Sequence, residues 1–244
     1  MSHTAGLPFI RFSGYGVGSS LPTLVQILNG QNPANTPAIR SRFEPGVKYQ
    51  YSGGGTVIAQ QMLIDVTHQP YDQYIKEQVF KPLGMVNSSF TQPPSTSSPL
   101  ATGYDLDNHE IGGKYYLFPE QAAAGLWTTP TDWARCIVET QLAYQGKSSK
   151  VLTSEMTRLR LTPYVDSSMA LGVRLLKKGS NLYFTNEGYG AGFSSLYYGS
   201  LTNGDGFVIM VNSDNGSVNI ISELANSVTR VYNWPDFYQP SEAL

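Results

Sequence analysis

The run Tyr51-Ser52-Gly53-Gly54-Gly55 is where this sequence of 244 residues first suggests chemistry. A tyrosine closes a stretch with strand character, Lys48-Tyr49-Gln50-Tyr51, three glycines free the backbone, and a helical pattern begins at once. Such a turn can hold a phenol at the mouth of a cleft, where it could move a proton. On spacing alone the simpler reading, a glycine-rich turn entering a helix, is preferred. A free phenol titrates near 10, so about one in a thousand is ionised at pH 7, and lowering it by three units takes about 4 kcal/mol. A nearby ammonium in a low-dielectric cleft can supply that. Tyr51 therefore needs a cationic neighbour before it can act as a base.

Other signatures fail. Gly192-Phe193-Ser194-Ser195-Leu196 comes nearest to a Gly-x-Ser-x-Gly elbow and lacks its last glycine. No Gly-x-Gly-x-x-Gly opens a helix and no Walker loop occurs, so a nucleotide cofactor is not expected. The single cysteine, Cys136, excludes an internal disulfide and a thiolate metal cluster, and its helical setting reads as a small buried apolar residue. His3, His68 and His109 share no ligand spacing, so metal catalysis is not expected. Asn186-Glu187 reads as a solvated strand end, with no second carboxylate at a spacing that would pair with Glu187. Trp127 can line a cleft or pack beneath the helix entry that follows it.

The elements that must position these residues follow from period and punctuation. Residues 11–50 are turn-rich, with one short helix expected over Thr23–Leu28. A helix with Val57, Ile58, Gln61, Met62 and Val66 in register follows the glycines, and another runs from Pro70 to Pro82-Leu83-Gly84. Residues 91–100 form a loop by composition. Thr129 caps a helix that opens on Pro130, runs to about Tyr144 and stops at Gly146, and a short one starts at Thr153-Ser154-Glu155. After residue 165 the period changes to strands at 170–176, 182–185, 193–199 and 206–212, with Asn203-Gly204-Asp205-Gly206 as a hairpin turn. Ile220–Val231 is an amphipathic helix with Ile220, Ile221, Leu224, Val228 and Val231 on its apolar face. The pattern predicts an α+β fold in one domain, with a helical region over about 20–160 and a sheet plus terminal helix over about 165–234.

Composition narrows the partners. A net charge of −2 excludes an electrostatic nucleic-acid binder. No apolar run approaches the length of a membrane span, and the opening residues have neither the basic nor the apolar part of a signal peptide. Charged residues make up 14%, below the ~25% of average soluble proteins, while 24 Gly and 15 Pro are spread through the chain as in a folded, turn-rich protein.

Several blocks, in order, resemble the β-lactamase-related serine hydrolases, the group of class C β-lactamases, D-alanyl-D-alanine carboxypeptidases and related esterases. They are Ser2-His3-Thr4-Ala5-Gly6-Leu7-Pro8, Tyr51-Ser52-Gly53-Gly54-Gly55, Ile64-Asp65-Val66-Thr67 through Gln69-Pro70-Tyr71, and Pro82-Leu83-Gly84-Met85. Pro119-Glu120 through Ala123-Ala124-Gly125-Leu126-Trp127-Thr128-Thr129, Gly188 through Gly192-Phe193-Ser194-Ser195, and Asn212-Ser213-Asp214-Asn215-Gly216 complete the set. The resemblance implies a β-lactamase/transpeptidase-like antiparallel sheet flanked by helices, and an acyl transfer through a serine ester. Tyr51 matches the family's proton-moving tyrosine. Asn186-Glu187-Gly188 falls where the family carries Lys-Thr-Gly or His-x-Gly, the Tyr189 N–H would give half of an oxyanion hole, Trp127 would line the cleft, and His3 would be structural.

The departures are specific. The family's nucleophile is the serine of Ser-x-x-Lys, upstream of the His3 block, and no serine in these 244 residues has lysine three places on. The chain is thus expected to be the C-terminal portion of such a hydrolase, without the first strands of its sheet, and inactive by itself. Gly53 stands where many members carry asparagine, and Asn186 replaces the cation or imidazole. Glu187 would repel the carboxylate of a penicillin or a peptide C-terminus. The alternative expectation is a non-catalytic relative whose cleft is a binding or partner surface. A completed protein would take a small ester or peptide substrate, with no cofactor. A separate N-terminal fragment or a second copy could pair with open sheet edges. Relatives in this group are commonly exported.

Overall fold

Helix starts in this chain are written in side chains. Thr23 and Gln26 form a reciprocal capping box at the head of α1 (Leu24–Asn29), and Gly30, with φ +62°, ends it. Thr129 accepts the Asp132 N–H ahead of α6 (Pro130–Tyr144), and Thr153 does the same for Met156 ahead of α7 (Ser154–Arg160). In α2 (Gly53–Thr67) the N-cap Ser52 makes no side-chain capping bond. The helix from Tyr71 has three parts: α3 (Tyr71–Ile75), a wider π-helical turn over Lys76–Phe80, and α4 (Lys81–Leu83). Pro82, without an N–H, sits in that last turn. The computed structural model describes residues 1–95, 99–214, 220–234 and 237. Part of the expected 91–100 loop and Asn215-Gly216 of the last resemblance block lie outside the described residues.

Two short elements were not expected from the sequence pattern: a two-residue ladder of β1 (Tyr15–Gly16) with β2 (Tyr116–Leu117), and α5 (Gln121–Ala124). The main sheet is an antiparallel meander of β3 (Arg174–Lys178), β4 (Asn181–Gly190), β5 (Phe193–Ser200) and β6 (Gly206–Val211), in that spatial order. The first strand starts later than its expected position at residue 170. Ala170–Val173 close a tight loop instead, with Ala170 N–H on the Val173 carbonyl and Gly172 at φ +74°. β4 runs past Thr185 to Gly190 because β5 pairs with it as far as Gly190↔Phe193.

Strand alternation divides the core between two faces of the sheet. On one, Leu175, Phe184 and Leu201 pack with Ile137 of α6 and Leu161. On the other, Leu196 and Ile209 meet Ile221 and Ala225 of α8 (Ile220–Val231), and Tyr183 packs with Trp234 and Phe237. The α8 range matches its apolar period, but its facing does not. Ile221, Ala225 and Thr229 are buried, while Ile220, Leu224 and Val231 are exposed. Small residues let the helix lie close to the sheet, which turns the larger ones outward. On α2 likewise Gly53, Gly54, Val57 and Gln60 are buried and Ile58 and Met62 are not. There Leu7, Ile10, Ile27, Ile39 and Val57 form a second cluster that anchors the start of α2. Among the described residues no helix is long and apolar enough to cross a membrane.

Candidate functional site

Tyr51 is not at the end of a strand. Residues 46–52 are irregular because their hydrogen bonds go to the first residues of the chain: Gly46 N–H to the Thr4 carbonyl (2.7 Å), Gln50 N–H to the His3 carbonyl (2.8 Å). Gly53 N–H then reaches the Ile10 carbonyl (3.0 Å) and fixes where α2 begins. Gly53 and Gly54 are required there. A Cβ on Gly53 would meet Phe12 at 2.9 Å, and one on Gly54 would meet Ile39 at 2.8 Å. The phenol of Tyr51 is 40% exposed, with its ring against His3 (4.7 Å) and Phe9 (5.7 Å). Among the described residues no serine or threonine hydroxyl and no thiol is hydrogen-bonded to it, and no lysine or arginine pairs with it.

The β4 residues are placed by pairing. β3 covers β4 only from Asn181 to Thr185, so Asn186–Gly190 have β5 on one side and, among the described residues, no strand paired on the other. Asn186 Oδ1 accepts the Glu187 N–H (3.0 Å). Glu187 accepts the Tyr189 hydroxyl (3.1 Å) and has no salt-bridge partner within 4 Å among the described residues. Burial and the Glu187 carboxylate push the Tyr189 phenol up. Gly188 lies opposite Ser195, and a Cβ there would come within 2.6 Å of the Ser195 hydroxyl.

Phe9 and Arg11 link the two parts. The Arg11 guanidinium lies 5.5 Å from the Phe9 ring and 5.8 Å from the Tyr189 ring, so Tyr51, Phe9, Arg11 and Tyr189 form a continuous wall. Neither residue belongs to a recognisable motif, and the one signal for them is position, just after the Ser2–Pro8 block. Trp127 is half-buried, exchanges backbone bonds with Ser89, and packs edge-on against Tyr115 (5.2 Å) and Phe193 (5.6 Å). Phe193 opens β5 beside the tip of the β4–β5 hairpin, so Trp127 flanks the end of β4, and its ring neighbours are Tyr115 and Phe193 rather than Tyr51. His3, the histidine of the first resemblance block, lies with its ring on that of Tyr51.

Cys136 is half-buried, and burial pushes its thiol up, away from nucleophilic form. Asp105, Asp107 and His109 gather their ligand atoms within 4.8 Å on an exposed turn. The Asp105 carboxylate there is already used by the Asp107 and His109 N–H groups. Of these groups, the partly exposed Tyr51 phenol can give or take a hydrogen bond.

Comparison with known proteins agrees with this architecture. Protein Rv1367c of Mycobacterium tuberculosis is 28% identical over 180 residues, 66% of this chain and 42% of that protein. The octameric penicillin-binding protein homologue from Pyrococcus abyssi superposes with a TM-score of 0.74 at 17% identity, covering 96% of this chain and 55% of that one. D-amino acid amidase from Ochrobactrum anthropi SV3, complexed with D-phenylalanine, gives 0.69 at 21% identity, covering 95% and 75%. The chain therefore spans about two fifths of the length of the curated relatives it matches. The family model described as Beta-lactamase matches residues 1–227, in keeping with the antiparallel sheet and its flanking helices: this chain belongs to the Beta-lactamase family.

Proposed function

We propose that the chain is the portion of a β-lactamase-related serine hydrolase that holds the proton-moving phenol, Tyr51, and one oxyanion donor, the Tyr189 N–H. The complete protein would carry out acyl transfer of the esterase or D-alanyl-D-alanine peptidase type. Asn186, Glu187, Gly188 and Trp127 would bound the substrate. The amide substrate class of the D-amino acid amidase relative supports this reading. By itself the 244-residue chain forms no acyl-enzyme. The observation that carries this is chemical: no serine has a lysine three places on, and among the described residues no hydroxyl, thiol or cationic side chain is hydrogen-bonded to the Tyr51 phenol. Incubation with a chromogenic short-chain ester, a chromogenic cephalosporin and a fluorophosphonate probe is expected to give neither turnover nor stoichiometric labelling. Either result in the positive would reveal another nucleophile and overturn the reading.

A second reading is favoured by Asn186 and Glu187, which replace the cation of the third motif. Here the protein is a non-catalytic relative and the wall from Tyr51 to Tyr189 is a binding or partner surface. An in-frame Ser-x-x-Lys immediately upstream, conferring probe labelling when co-expressed, selects the first reading over this one.

The outer edge of β6 supports pairing with a separate N-terminal fragment or a second copy. Among the described residues β6 pairs in the sheet with β5 alone, and Gly206–Val211 carries no charge or proline to blunt that edge. Solution mass is expected to exceed the 26.7 kDa of one chain. A stable monomer across the micromolar range removes the proposal.

A further inference from the structure

We infer that His3 is a positioning residue for Tyr51, a brace on residues 50–52 that lets go when its imidazole is protonated. The inference rests on the reading of Tyr51 as the phenol of the site.

Three contacts converge from this one residue. The His3 carbonyl accepts the Gln50 N–H at 2.8 Å, its Nδ1 accepts the Ser52 N–H at 3.2 Å, and its ring lies on the Tyr51 ring at 4.7 Å with the planes 35° apart. Backbone on both sides of Tyr51 is tied to His3, and the ring between them is covered by it. Tyr49 closes the other side, edge-on at 5.9 Å. His3 holds a φ of +56°, a left-handed conformation that costs a histidine free energy and persists where surrounding bonds over-determine it. Those bonds are present: Thr4 accepts the Gly46 N–H and Gly6 accepts the Arg42 N–H, so residues 3–6 run as a rail along residues 42–50.

The Ser52 bond also fixes the tautomer. An Nδ1 that accepts an N–H has no hydrogen of its own, so the neutral ring carries its hydrogen on Nε2. Protonation puts a second N–H on Nδ1, pointing at the Ser52 N–H. Donor then faces donor, and this contact of the brace is lost. The charged and titratable groups facing His3 are the Met1 α-ammonium and the phenols of Tyr49 and Tyr51, while Arg174 and Asp166 act on Tyr49. Burial, and then the α-ammonium, hold His3 below the ordinary histidine range, against a Ser52 backbone bond that favours the charged ring, so the Nδ1 contact is closed at neutral pH. His68 caps the far end of α2 and His109 sits on its exposed turn, away from these contacts.

The test uses the full chain labelled with ¹³Cζ-tyrosine, the Tyr51 resonance being assigned with Tyr51→Phe. Titration is followed from about pH 8 to about pH 4.5, across the histidine range. The Tyr51 resonance is expected to move with the same midpoint as the His3 ring protons. His3→Asn keeps an oxygen acceptor for the Ser52 N–H and tolerates the left-handed backbone. In it the movement of Tyr51 over this range is expected to vanish while circular dichroism stays native. A Tyr51 resonance that stays still while His3 titrates overturns the inference, as does one that moves identically in His3→Asn. If His3→Asn does not fold, the shared or separate midpoints in the unmodified chain decide alone. The readout is the environment of one ring and is independent of turnover. Failure here leaves the hydrolase reading standing, and failure of the labelling experiments leaves the brace standing.

Discussion

Replacing Glu120 by glutamine is expected to make the protein more stable by about 3 kcal/mol above neutral pH and to flatten its stability between about pH 5 and about pH 8. Glu120 is fully buried just ahead of α5, and neither carboxylate oxygen has a hydrogen-bond partner. Burial pushes this carboxyl from 4.5 up to about 7, opposed by its own backbone N–H, which does not reach hydrogen-bond geometry with either oxygen. In that interval the folded chain holds a proton that the unfolded chain has released. Stability contributed by the group is therefore complete below about pH 4.5 and is lost as pH rises through about 7. Glutamine has no charge to bury, so this loss disappears, although its amide is left without partners as the acid is. The variant should match the native chain or fall slightly below it at about pH 5 and exceed it at about pH 8. Urea midpoints at the two pH values give the answer, and parallel pH dependences in the two proteins would show that Glu120 is hydrated or paired. The consequence reaches the site. Gln60 of α2 donates to the Pro119 carbonyl and accepts the Ala122 N–H, so the segment carrying Glu120 is clamped to the helix that follows Tyr51.

Local chemistry made much of this fold legible. A threonine with its own partner three residues on marks α1, α6 and α7, and the Asn203-Gly204-Asp205-Gly206 turn separates β5 from β6. What local pattern does not carry is orientation. The period of Ile220–Val231 locates α8, yet the burial of Ala225 and Thr229 in place of Leu224 and Val231 is decided by how near the helix approaches the sheet. The length of β4 is decided by β5, since Asn186-Glu187-Gly188 has no strand propensity of its own. The candidate site divides in the same way. Tyr51 and Tyr189 are readable as types in motifs, whereas Phe9 and Arg11 matter only because folding brings their segment beside β4. Tyr51 looked like the end of a strand because Tyr49 and Tyr51 alternate with polar residues. Bonds from the His3–Gly6 segment take the place of a ladder.

That segment carries the second large effect. Gly6→Ala is expected to cost about 3–5 kcal/mol, the sum of left-handed strain and overpacking against backbone. Gly6 has φ +72°, and a Cβ there would fall onto the carbonyl oxygen of Phe43, with the Ser41 hydroxyl 2.6 Å away. Neither neighbour is free to retreat. Ser41 donates to the Ala5 and Phe43 carbonyls, and Arg42 N–H holds the Gly6 carbonyl at 2.8 Å. Gly204→Ala supplies the control: its φ is +86° and nothing lies within 4 Å of the added carbon, so it bears the backbone strain alone, about 1–2 kcal/mol. The difference between the two urea midpoints isolates the collision, and equal losses would mean that the rail can shift at little cost. A rail displaced at Gly6 also moves His3, so the Tyr51 ring should lose its neighbour in Gly6→Ala and keep it in Gly204→Ala. The glycine at position 6 thus acts on the phenol through chain geometry: close approach of residues 3–6 to residues 42–50 is what places an imidazole against Tyr51.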